Sequence, residues 1–455
     1  MKRANLTQRV LLALTLVATG ATSFAEQVDN ANTDSTSADT SSADTVSADN
    51  DSIWTRDKLT GDWGGYRPNM KDDGLDLGLR WSQYYQDVTS GGIDSSNKGE
   101  YGGTLDYRVG IDANKLFGSW EGLTFNMHVR TRYGEDVNAD TGSLALQNTG
   151  MLMPAPGNYS NTDLTGLTVT QAFVVSDVPV MATVGLIDVV DTVAGLFPNF
   201  GYGQEGFWNI NSTVSAMPWF GAVRGLALYG AMGLTINTEY KMLQSGILVL
   251  GTENESANIN SVSDAFDEGT WFAAFHRFFW KADDKTGYFM VFAGTSTREQ
   301  ASNDRRDFIV VPGQGIESTD EKKPWDIALY LYQDVWQAPG NPNRKVTIFT
   351  GGTIGPDNPQ FSNRNFFANV EAFGLMDSRP NDRMGVGGWW NSLSGDFKTL
   401  VEPVVELRNT WGFEVYYNIE LNKWLHLTPD LQWIQNERVG DSRAVVPGIR
   451  LVADF

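Results

Sequence analysis

The stretch Phe413-Glu414-Val415-Tyr416-Tyr417-Asn418-Ile419-Glu420-Leu421 decides the fold. Phe413, Val415, Tyr417, Ile419 and Leu421 alternate with Glu414, Tyr416, Asn418 and Glu420, the period of two that gives a strand one apolar and one polar face. Leu425, Leu427, Leu431 and Trp433 alternate in the same way with His426, Thr428, Asp430 and Gln432. At the end of the chain Val445, Pro447, Ile449, Leu451, Ala453 and Phe455 keep every second residue non-polar to the last position. The opening strands match. Leu75, Leu77, Leu79 and Trp81 alternate with Asp76, Gly78, Arg80 and Ser82; Leu105, Tyr107, Val109 and Ile111 with Asp106, Arg108, Gly110 and Asp112; Leu123, Phe125, Met127 and Val129 with Thr124, Asn126, His128 and Arg130.

Two all-β architectures fit this alternation. A soluble sandwich buries its apolar faces against one another, whereas a transmembrane antiparallel barrel turns them to lipid and its polar faces to a wet lumen. Three observations favour the barrel: a leader for export, 15 Trp and 15 Tyr of the kind that form interfacial girdles, and a last strand ending on an aromatic. Such an ending looks like the strand that outer-membrane barrels present to their assembly machinery, which makes that machinery an expected partner through Phe455.

The leader is residues 1–25. Lys2, Arg3 and Arg9 precede an apolar stretch from Leu11 to Ala21, and Ser23-Phe24-Ala25 is a small-x-small cleavage site before Glu26. The stretch is shorter than the roughly 20 residues that span a bilayer, so a cleaved signal peptide is expected rather than an anchor. Residues 26–52 repeat Ser-Ala-Asp and carry seven acids with no aromatic, Lys or Arg. That segment buries too little apolar surface to offset backbone ordering, and a disordered acidic tether is expected. The rest, 53–455, reads as one barrel domain.

Composition excludes several classes. No cysteine is present, so disulfides and thiolate sites are ruled out, and a formal charge of -21 opposes nucleic acid as a partner. From residue 53 onward, strands of about 10 residues joined by turns and longer loops give roughly 16 strands. Residues 134–166 and 190–224 are too long and too rich in Gly, Asn and Pro for turns. They are expected as extracellular loops, at least one folded inward as a constriction.

Longer motifs carry a family resemblance. Leu59-Thr60-Gly61-Asp62-Trp63-Gly64-Gly65-Tyr66-Arg67, the run Arg379-Pro380-Asn381-Asp382-Arg383, and the tail blocks Trp411 to Ile419, Trp424 to Ile434 and Val446 to Arg450 resemble the OprB-type carbohydrate-selective porins. Gly185-Leu186-Ile187-Asp188 resembles the family's Gly-Lys-x-Asp strand, with Leu186 replacing the usual Lys. The resemblance implies a monomeric outer-membrane barrel of 16 strands that passes small neutral carbohydrates, monosaccharides such as glucose, by passive diffusion without a cofactor. Outer-membrane lipid is then its surroundings, and charged and aromatic side chains stand at a central eyelet.

The alternation itself points Arg80, Arg108 and Arg130 inward from three consecutive strands, and barrel closure brings Arg450 beside the first. Guanidinium offers a planar fork of donors for sugar hydroxyls in passing, while Asp76, Asp106 and Glu414 supply acceptors and keep the arginines from repelling one another. A ladder of structural salt bridges is the competing expectation. Trp208, Trp219 and Phe220 would stack on the apolar face of a sugar if their loop enters the lumen; packing against the wall is the alternative. Tyr330 and Tyr332 are weaker candidates of the same type. An enzyme is not expected: the three histidines, His128, His276 and His426, lack a Gly-x-Ser-x-Gly elbow, no metal-ligand spacing is recognisable, and no phosphate-cradling loop is present. The alternatives are a general or ion-preferring porin of the same fold and a secreted β-rich glycan hydrolase or binding protein.

Overall fold

In the computed structural model, which describes residues 52–96, 99–144, 148, 161–197, 201, 203–214, 230–252, 264–311 and 315–455, sixteen strands close into one antiparallel barrel. They are β1 (Leu75–Gln86), β2 (Glu100–Asp112), β3 (Leu123–Gly134), β4 (Asn161–Val175), β5 (Val178–Ile187), β6 (Ala231–Tyr240), β7 (Leu243–Gly251), β8 (Thr270–Ala282), β9 (Lys285–Ser296), β10 (Trp325–Ala338), β11 (Asn341–Ile354), β12 (Ser362–Phe373), β13 (Arg383–Leu393), β14 (Thr410–Asn422), β15 (Leu425–Gln435) and β16 (Ser442–Asp454). Each pairs with its sequence neighbours, and β16 returns to β1 with Tyr84 opposite Arg450 and Arg80 opposite Asp454. The leader and residues 26–51 of the acidic segment lie outside the described residues, as do Trp219 and Phe220.

The burial pattern inverts that of a soluble sandwich. Along β14 the apolar Phe413 and Val415 are 55% and 48% exposed, while Glu414 between them is 1% exposed. Leu431, Trp433 and Ile449 are likewise exposed, and Gln432 and Arg450 are fully buried. A continuous apolar outer face on a closed sheet is stable in hydrocarbon, where every backbone polar group must be paired within the protein. Among the described residues no helix is long and apolar enough to cross a membrane.

Turn lengths give the barrel two unlike ends. Ser176-Asp177, Lys241-Met242, Asp283-Asp284, Pro339-Gly340 and Lys423-Trp424 each join a strand pair at one end, which also holds residues 52–74 and the chain's last residue. Ser176, Asp177, Asp283 and Asp284 all have positive φ, the backbone of tight hairpins whose twist matches their strands. At that end Arg67 donates to the carbonyls of Leu77 (3.2 Å) and Phe455 (2.5 Å), and Leu59 N–H to the carbonyl of Asp454 (2.8 Å). The amino-terminal segment is thereby fastened across the seam where the barrel closes.

The long connections lie at the other end. Of the 134–166 segment expected as a loop, Gly134 ends β3 and residues 161–166 belong to β4, which begins at Asn161. The connection after β5 turns inward: a helix, Val189–Leu196, is followed by a chain that reaches across the lumen through Val214. The lumen face opposite it is not uniformly wet. Inward-facing Leu248, Trp271, Phe275, Tyr288, Met290, Tyr330, Phe349 and Phe367 form one apolar core with Val189, Val190, Leu196 and Phe197 of the inward segment.

Candidate functional site

The opposite wall is ionic, and strand register explains its order. Asp454, Arg80, Asp106, Arg130 and Asp163 stand opposite one another in turn across β16, β1, β2, β3 and β4, so charges alternate along one row. Unlike charges directly opposite across strands attract, and this row is the sheet form of that rule. Arg80 grips Asp454 with two parallel bonds, Nε to Oδ1 at 2.8 Å and Nη2 to Oδ2 at 3.0 Å. Arg130 Nε donates to Asp106 Oδ1 at 2.5 Å, and Arg132 Nη2 to Asp163 Oδ2 at 2.7 Å.

The inward segment plugs into this wall side chain by side chain. Glu205 Oε1 accepts from Arg80 Nη1 at 2.6 Å, Gln204 Nε2 donates to Asp106 Oδ2 at 2.9 Å, and Asp191 Oδ1 accepts from Arg108 Nη2 at 3.1 Å. Arg450 donates to the carbonyls of Gly203 (2.5 Å) and Gly206 (3.1 Å). Glu414 accepts from the backbone N–H of Trp208, from that of Asn209 at 3.1 Å and from Ser212 Oγ at 2.7 Å. Tyr330 OH donates to the carbonyl of Val214 at 2.9 Å, and Arg277 to that of Leu196. A segment without regular ladder partners must satisfy its peptide groups some other way, and here the barrel wall supplies them.

These contacts sort the residues read from sequence. Arg80, Arg108, Arg130, Arg450, Asp106 and Glu414 all face the lumen side, as the alternation requires. Arg130, Asp106, Glu414 and Arg450 are nevertheless buried; Asp106, Glu414 and Arg450 bond the inward segment, and Arg130 bonds Asp106. Trp208 is fully buried, edge-on to Tyr84 and 4.9 Å from the Arg450 guanidinium, so it packs the segment against the wall rather than offering a platform. Gly448 makes room for it: a Cβ there would stand 2.8 Å from the indole. Asp76 is partly exposed near the other end and pairs with Lys71 at 3.3 Å. Tyr330 and Tyr332 face inward but are buried, Tyr332 bonding Asp334 at 2.6 Å.

Charged groups at this wall that stay partly open include Arg80 (24% of its side chain), Glu205 (44%) and Asp191 (29%), with Arg108 (9%) nearly closed over. Glu205 and Asp191 were not singled out in the sequence; their signal is an acid in the long segment that alternation cannot place. Desolvation inside the barrel opposes the Glu205 charge, but the guanidiniums of Arg80 and Arg383 outweigh it and hold the carboxyl below its usual range. The exposed groups thus form adjacent donor and acceptor pairs on a wet surface.

The histidines are distributed differently. His128 Nε2 lies 2.9 Å from Asp106 Oδ1, and its Nδ1 lies 2.9 Å from Asp191 Oδ2. His426 Nδ1 pairs with Asn418 at 2.9 Å. His276 Nδ1 pairs with Ser245 Oγ at 2.8 Å on the outer face, and among the described residues no carboxylate pairs with it.

Comparison with known proteins agrees with this geometry. A family model described as carbohydrate-selective porin, OprB family, matches residues 96–455. Porin B of Pseudomonas aeruginosa is 22% identical over 438 residues, covering 87% of this chain and 91% of that protein. The high-pH structure of Pseudomonas putida OprB superposes with a TM-score of 0.74 at 16% identity, over 89% of this chain and all of that one. Its low-pH structure gives 0.55 at 16% identity, over 88% and 99% of the two chains.

Proposed function

We propose, from the premise that this chain belongs to the OprB family of carbohydrate-selective porins, that its barrel passes small neutral carbohydrates across the outer membrane by passive diffusion past the charged pairs left open in the lumen. The observation that carries the reading is the pairing of Arg80 with Glu205 and of Arg108 with Asp191 on the lumen surface, donors beside acceptors. A neutral solute rich in hydroxyls exchanges hydrogen bonds with both kinds of group, whereas an ion is attracted by one and repelled by its neighbour. Guanidinium is weakly hydrated and presents its donors in a plane, so contacts of this kind are made and broken without trapping the solute.

The buried arginines take a second role in this reading. Arg450 holds the constricting segment in place, Arg130 braces Asp106 beneath it, and Arg80 and Arg108 meet solute. The barrel works as a monomer, each lumen being complete within one chain, and its last strand serves assembly. Export through the cleaved leader at residues 1–25 belongs to the same proposal.

Liposome swelling tests it. Vesicles containing the protein should swell faster in a neutral hexose than in charged solutes of similar size, and Arg108→Ala should narrow the difference. Equal rates for all solutes would replace the sugar reading with a general porin of the same fold.

A further inference from the structure

We propose that His128, Asp188 and Asp191 bind one small divalent cation of the Zn2+, Co2+ or Mn2+ class, which fastens the inward helix Val189–Leu196 to strand β3. The three donor atoms lie within 4.8 Å of one another. His128 Nδ1 stands 2.9 Å from Asp191 Oδ2 and 3.3 Å from Asp188 Oδ2. Metal bonds of about 2.0–2.2 Å to imidazole and carboxylate imply ligand-to-ligand edges of about 2.8–3.6 Å, which brackets both separations.

The surroundings orient each ligand. The other imidazole nitrogen, Nε2, faces Asp106 Oδ1 at 2.9 Å, and Arg130 holds that same oxygen at 2.5 Å. A carboxylate on the far nitrogen fixes the tautomer and leaves the near one as a lone-pair donor, the arrangement common behind metal-bound histidines. Asp188 is 3% exposed. Its Oδ1 caps the helix by accepting from the N–H groups of Val190 (2.9 Å) and Asp191 (3.1 Å), whereas Oδ2 accepts no hydrogen bond and points at the imidazole. A buried carboxylate oxygen left so is costly unless something cationic meets it. Arg108 steadies the other oxygen of Asp191 at 3.1 Å.

Charge and access agree. With a neutral imidazole, Asp106, Asp188 and Asp191 against Arg108 and Arg130 leave one negative charge in the cluster. The Asp191 side chain is 29% exposed to the lumen, so an ion enters from that side and water completes its coordination. One His nitrogen with two carboxylate oxygens suits borderline divalent metals rather than calcium, which takes six to eight oxygens. The inference stands whatever solute the pore carries.

The test is a Co2+ titration of the chelator-stripped full chain in detergent, followed by visible d–d absorption and Zn2+ displacement. One equivalent should bind, with at least 100-fold weaker binding in His128→Gln and Asp188→Asn, and Asp106→Asn weaker by about 10–100-fold through the oriented imidazole. His426→Asn and His276→Asn should bind as the unaltered protein does. Only variants that keep heat-modifiable mobility, the mark of an intact barrel, are scored, and Asp191→Asn on the lumen face of the helix is a further ligand variant. Absence of Co2+ bands in the unaltered protein would overturn the proposal, leaving the nitrogen protonated between two carboxylates; so would binding that survives His128→Gln and Asp188→Asn.

Discussion

Replacing Glu414 with Ala should release the inward segment from the wall without unfolding the barrel. Glu414 is 1% exposed and gathers three donors, the N–H groups of Trp208 and Asn209 and the hydroxyl of Ser212. A buried donor left without its acceptor costs about 1–3 kcal/mol. Water from the lumen reaches the gap in part, so the lower end applies to each, giving about 3 kcal/mol for three donors. At about 1.4 kcal/mol per factor of ten, the attachment equilibrium of residues 203–214 shifts by about 100-fold. Strand pairing is untouched, because β13, β14 and β15 keep their ladders. Single-channel recordings should then show a larger and noisier conductance, and limited proteolysis should cut within 203–214. Glu414→Gln, which retains one acceptor oxygen, should fall between. An Ala variant with the conductance and cleavage pattern of the unaltered protein would refute the claim that this carboxyl anchors the constriction.

Further outcomes follow from other contacts. Arg80→Ala removes the guanidinium shared by Asp454 and Glu205 and should weaken sugar block of ion current by about tenfold, the loss of one hydrogen bond to a charged donor; an unchanged block constant removes Arg80 from the solute path. Arg67→Ala cuts the ties to Leu77 and Phe455 and should expose residues 52–74 to protease at the short-turn end, with resistance equal to the unaltered protein counting against the seam role. Burial pushes the Glu437 carboxyl, in the connection after β15, up to about 7 from an ordinary 4.5. Its folded form therefore holds a proton that the opened loop gives up, so its contact with Ser143 and Leu144 is firmest at low pH and weakens as pH rises toward about 7, by roughly 1.4 kcal/mol per unit. Hydrogen exchange at the Leu144 amide should speed up across that window, and Glu437→Gln should flatten the dependence.

The barrel was legible because its strands obey two faces: Phe413 against Glu414, Trp433 against Gln432, Leu105 against Asp106. The same alternation places Arg80, Arg108, Arg130 and Arg450 on the lumen side, since a period of two assigns every side chain once one is known. It does not say what stands over them. Whether Arg130 meets solute or Asp106 depends on a chain segment distant in sequence, and Gln204, Glu205 and Asp191 sit in that segment with no period to read. Trp208 shows the same limit, its indole seated over Gly448 from the far end of the chain. The apolar half of the lumen was illegible for a different reason: between Asp326 and Asp334 the inward positions of β10 are Ala328, Tyr330 and Tyr332 against Ile327, Leu329 and Leu331 outside, so the middle of the strand shows no polar face, and packing against Phe197 and Val214 makes Tyr330 part of the core.

The most direct test of a sugar-passing lumen is single-channel current through the purified protein in a planar bilayer, titrated with neutral mono- and disaccharides. The account predicts saturable, reversible block that differs from sugar to sugar and weakens when Arg80 or Glu205 is replaced. A current indifferent to every sugar, or falling only as solution viscosity rises, would contradict it.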